Sequence, residues 1–186
     1  MPRFLIPALA WLASLAVPSI VSAQQIDNPM YTSWARHTPG TSITMRSITE
    51  MRGKTIETTT AYTLRKVLPD RVVVEMVAVS DATGSKVKNP PQEMEIRRKF
   101  YLLPGVKPED IGKPDGTIAS GEETLTLAGK EFRAKWFDSK GQTEAGPSRT
   151  RTWMSDEVPG RLLKSVLEVP NVDKTTTLSL IEFQVP

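Results

Sequence analysis

Cysteine is absent from this sequence, and histidine occurs once, as His37. Without thiols there can be no disulfide framework, no thiol nucleophile and no thiolate metal site. One histidine falls short of the ligand set a zinc site normally takes, and it gives a Ser-His-Asp arrangement little to build on. Its place near the end of a short helix suits a cation at the negative end of the helix dipole. Acids do occur in pairs, at Glu109-Asp110, Glu122-Glu123 and Asp156-Glu157. Glycoside hydrolysis needs two carboxyls facing each other across a cleft, not neighbours in sequence. Asp81-Ala82-Thr83-Gly84 is a turn by composition. The inserted Ala and the lack of a second copy separate it from an aspartic-protease motif. These absences together point away from an enzyme, and no cofactor or metal is expected. The formal net charge is +3, and acids and bases are interspersed along the chain. A nucleic-acid partner, which would call for a concentrated basic face, is therefore not expected.

Long apolar runs are also missing beyond the first segment. That segment has one positive charge, Arg3, then an apolar stretch from Phe4 to Val21 broken by Ser14, Pro18 and Ser19. It ends in the small residues Ser22-Ala23, followed by Gln24-Gln25. Basic start, apolar middle and small-residue exit are the marks of a secretory signal, so residues 1–23 are expected to be cleaved. Residues 24–186 are then one β-rich domain without a membrane span, of ordinary single-domain size.

The domain opens with a short helical lead-in over residues 24–40. Asn28 can cap a helix, Pro29 fits its first turn and Pro39-Gly40 stops it. Tyr31 and Trp34 share one helical face. From Thr41 the period changes to two, as in Ile43, Met45 and Ser47, or Thr58, Thr60, Tyr62 and Leu64. Residues 104–121 are rich in Pro and Gly and read as irregular, apart from a helical turn at 108–111. A hairpin follows across Ala128-Gly129, and Ser139-Lys140-Gly141 reads as the start of a loop. About nine strands with short connections predict antiparallel neighbours. The expected fold is mainly β: a single curled antiparallel sheet, a half-barrel-like meander covered by the short N-terminal helix.

Two groups of side chains are candidates for binding. Tyr31, Trp34, Trp136, Trp153 and Met154 could line an apolar site on the concave face of the sheet. Arg133, Lys135, Arg149 and Arg151 could form a cationic ladder across a hairpin, for an anionic headgroup, a glycan or an envelope protein. The segment from Trp153 to Gly160 reads as a corner between neighbouring strands.

Asn28-Pro29-Met30-Tyr31 with Trp34 and Pro39-Gly40 resembles the opening of small uncharacterised exported bacterial proteins. The stretch from Gly129 to Trp136, paired with Trp153 to Gly160, resembles their second half and also the LolA-like and LppX-like periplasmic lipoprotein carriers. The second resemblance implies a half-barrel that cradles an acyl chain, in the periplasm or secreted. The resulting expectation is a non-enzymatic exported binding protein for a lipid or other apolar small molecule. The alternative is an envelope module that binds a protein or glycan and has no ligand cavity.

Overall fold

A computed structural model describes residues 24–81, 86–102, 106–107 and 110–186. The expected signal segment, residues 82–84 of the expected turn and residues 108–109 of the expected helical turn lie outside these. Among the described residues, no helix is long and apolar enough to cross a membrane.

The strands are β1 (Gln25–Asp27), β2 (Ser42–Met51), β3 (Lys54–Val67), β4 (Arg71–Asp81), β5 (Lys86–Lys88), β6 (Gln92–Arg97), β7 (Lys99–Tyr101), β8 (Thr117–Leu127), β9 (Lys130–Thr143), β10 (Gly146–Met154), β11 (Leu162–Val169) and β12 (Lys174–Gln184). One helix, α1 (Pro29–Ala35), follows β1. Ten strands form one antiparallel sheet in the order β5-β4-β3-β2-β12-β11-β10-β9-β8, with β6 also paired to β4. The fold is mainly β, with a single large sheet that is not closed. β1 and β7 make a separate two-stranded ribbon.

The meander comes in two runs. β2, β3 and β4 follow one another by short turns, as do β8 to β12. The first long strand, β2, then pairs with the last, β12, from Met51↔Lys174 to Ser42↔Gln184. Local spacing reveals each run but not this long-range pairing. Two expected irregular stretches are corrected. Residues 117–121 belong to β8, and Ser139-Lys140-Gly141 continue β9 opposite Thr150, Arg149 and Ser148. Pairing of residues 117–121 with β9, and of Ser139-Lys140-Gly141 with β10, outweighs the local turn preference of Ser and Gly.

α1 is placed by its cap and its docking. The Asn28 side chain accepts the Met30 N–H at 3.0 Å, and Pro29 occupies the first turn. Seven residues are too few for a helix to hold in water by itself. Trp34, 2 % exposed, anchors it in a core with Ile43, Met45, Leu64, Val72, Val74, Ile96 and Leu180. Register puts these sheet residues on one face. The corner after β10 also holds the helix: the Gly160 N–H donates to Ser33 Oγ at 3.0 Å. Val158 is fully buried in the same cluster. His37 lies just past the helix, edge-on to Phe183 at 6.0 Å between centroids. Burial first and Arg36 second lower its pKa, so the neutral form is favoured there, against the cation expected at that helix end.

Candidate functional site

β9 shows why the second half of the sheet carries a groove. Its buried residues are Phe132 and Ala134, then Phe137 and Ser139. The parity changes, so the face that is inward near the β8–β9 turn becomes the open face further along. Trp136 sits at the crossover. β10 ends at Met154 opposite Lys135, and the next β9 amide on that edge, Arg133 N–H, donates instead to the Glu157 carboxylate at 3.1 Å. The corner residues thus finish the ladder that β10 leaves short.

Above the crossover, three same-face rows follow from the register. The first is Gly121–Trp136–Trp153–Lys164, the second Ala119–Asp138–Arg151–Val166, and the third Lys140–Arg149–Glu168. The Trp136 ring lies over Gly121, where an added Cβ would come within 2.6 Å of it. The Arg151 guanidinium sits 4.8 Å from the Trp136 ring centroid and 5.9 Å from that of Trp153. The Lys164 ammonium lies 5.2 Å from the Trp153 ring. The Trp153 indole N–H donates to the Glu123 carboxylate. Arg151 in turn grips Asp138 in a bidentate pair, both bonds 2.6 Å. That hydrogen bonding holds the Asp138 carboxyl below its usual range and raises Arg151 further above its own. A groove of 560 Å³ opens along these rows, lined among others by Ile118, Asp138, Lys140, Trp153 and Val166. Its size is within the range of small-molecule sites, about 300–1,000 Å³.

The candidate residues divide. Trp136 and Trp153 are direct cross-strand partners. Trp34 and Tyr31 do not line the groove: Trp34 is buried in the core cluster that also holds Trp153, and Tyr31 packs against that cluster with its hydroxyl donating to the Leu68 carbonyl at 3.0 Å. Met154 faces away from Trp153, because neighbouring strand residues alternate. The four cations expected on one ladder are split between the two faces. Arg149 and Arg151 line the groove, whereas Arg133 and Lys135 lie on the opposite face, where Lys135 reaches Glu122 at 4.0 Å. The register aligns Arg151 with Asp138 and Arg149 with Lys140, which removes the expected ladder. Arg133, Lys135 and Met154 instead border a second depression that also holds Glu122, Glu123, Asp156 and Glu157. Sequence reasoning missed Ile118, Asp138, Lys140 and Val166 as groove residues. The first three stood in or beside stretches read as irregular. Among the described residues, no cluster of three or more His, Asp or Glu side chains could hold a metal ion.

No family model matches the chain, and no curated protein matches it. Solved structures similar to it include a candidate lipoprotein from Parabacteroides distasonis ATCC 8503, with a TM-score of 0.48 and 11% identity over 80% of this chain and 96% of that one. Another is a candidate exported protein with a YmcC-like fold from Bacteroides fragilis NCTC 9343, with a TM-score of 0.46, 10% identity, and 80% and 97% coverage. MucB is similar at a TM-score of 0.41 and 12% identity, over 84% of this chain and 57% of MucB. Likeness at this level concerns the path of the chain and assigns no role to any residue.

Proposed function

We propose that the chain is a non-enzymatic exported binding protein that holds an apolar or acyl ligand in the groove beside Trp136 and Trp153. One observation carries this reading: Trp153, paired across β9 and β10 with Trp136, lines one end of a 560 Å³ groove. Ile118, 61 % exposed, continues the apolar lining, as does Val166. Ile118 is an extra residue in the β8 ladder, between Thr117↔Ser139 and Ala119↔Asp138, and bulges of this kind re-aim a side chain beside a site. A large aliphatic side chain left this open gains about 1.5–3 kcal/mol when a ligand covers it.

The test is a titration with an apolar fluorescent dye and competition by dodecanol. Ile118→Glu puts a charge on an exposed position and leaves the core alone. We expect at least a tenfold loss of dye affinity in this variant with an unchanged thermal midpoint. Equal dye affinity in both proteins overturns the assignment of the groove. Failure of the parent protein to take up any dye turns attention to the envelope-module reading. That reading draws on β8, whose outer edge has no strand partner among the described residues and could accept a strand from another protein.

A further inference from the structure

The third row of the groove carries charges that the fold leaves unused. Lys140 and Arg149 are directly opposite each other on β9 and β10, and like charges so placed destabilise a sheet. One row below, Arg151 is fully engaged by Asp138. Among the described residues, neither Lys140 nor Arg149 is in an ion pair, and both are exposed. Glu168 lies across from Arg149 on β11 and lines the same groove without bridging to it. The groove therefore has three cations against two carboxylates, and one of those carboxylates is already taken.

Polarity changes along the groove in one direction. Trp153 stands at one end with its partner Trp136 beside it, Val166 lies a row further on next to the Asp138–Arg151 pair, and the two free cations close the other end. Four strand residues separate the tryptophan row from the Lys140–Arg149 row, roughly 13 Å at the usual rise. A charged group bound between Lys140 and Arg149 would relieve their repulsion, and an attached hydrocarbon chain would run back over Val166 and Ile118 to the tryptophans.

We propose that Lys140 and Arg149 form an acid-recognising end of the groove, and that the ligand is an elongated amphiphile ending in a carboxylate or phosphate. This rests on the reading of the groove as an apolar-ligand site and adds the class of headgroup. Calorimetric titrations with dodecanoate, dodecyl phosphate and dodecanol at low ionic strength test it, on the parent protein and on the Lys140→Gln/Arg149→Gln double variant. At least one acid should bind the parent tenfold or more tightly than dodecanol, with the margin shrinking in high salt. In the double variant the acids should fall to the affinity of dodecanol, which itself stays unchanged. Equal binding of acids and alcohol by the parent overturns the proposal, and so does an acid preference that survives in the double variant. If none of the three binds, the apolar-ligand reading beneath it fails instead. Neither side chain packs in the core, so the thermal midpoint of the double variant should equal or exceed that of the parent.

Discussion

Replacing Trp34 by alanine should release α1 from the sheet and cost a large part of the stability of the domain. Trp34 is 2 % exposed and packs in one cluster with residues of β2, β3, β4, β6 and β12 and with Val158 of the corner. Truncating a buried tryptophan to alanine costs about 3–5 kcal/mol, set against a typical total of roughly 5–15 kcal/mol. The surroundings cannot collapse to fill the space, because a seven-residue helix without its anchor does not stay folded over it. In urea, with a slope of about 2 kcal/mol per molar, the midpoint should drop by about 1.5–2.5 M. Trp34→Phe keeps a ring in the site and should lose less than half as much. Equilibrium unfolding followed by circular dichroism decides the matter. A midpoint within about 0.5 M of the parent for Trp34→Ala, near 1 kcal/mol on the same slope, would show that the helix does not hold the core at this end.

Other perturbations follow from single features. Arg52 has φ of 50° and Gly53 of 74° in a two-residue hairpin turn, so Arg52→Asn, better suited to that conformation, should stabilise by up to about 1 kcal/mol in the same unfolding assay. Gly121→Ala would drive a methyl into the Trp136 ring; dye affinity should fall and the tryptophan emission should shift red, and an unchanged spectrum would contradict the stacking. The His37 pKa is lowered in the folded state, so below its unfolded value of about 6.5 the unfolded chain binds more protons and stability declines as pH falls through that range. His37→Gln should remove this dependence between pH 7.5 and 5, and identical pH profiles for both proteins would show that the histidine is not responsible.

Much of the fold was legible because the sheet keeps one simple code. Ile43 and Met45, or Tyr62 and Leu64, alternate with polar neighbours, and Asn28-Pro29 marks a helix start that the cap at Met30 N–H bears out. Short turns such as Arg52-Gly53 and Ala128-Gly129 named neighbouring strands correctly. The β2–β12 pairing was not legible, since contacts between the two ends of a chain leave no mark on local period. The site was harder to read. Trp136 and Trp153 stood out by residue type, but their pairing depends on a register that sequence does not supply. The same register sends Met154 to the other face and sets Asp138 against Arg151. Lys140 was hidden because Ser139-Lys140-Gly141 has the composition of a turn, while Arg149 on β10 and the Gly116 carbonyl, which accepts its N–H, hold it extended.

Native mass spectrometry of the protein isolated without detergent from the cells that produce it addresses the groove most directly. A one-to-one adduct that leaves on solvent extraction, and that is lost in Ile118→Glu, is the expected result. A ligand-free mass for the parent, with no dodecanol or dye taken up in titration, would contradict the groove as a ligand site.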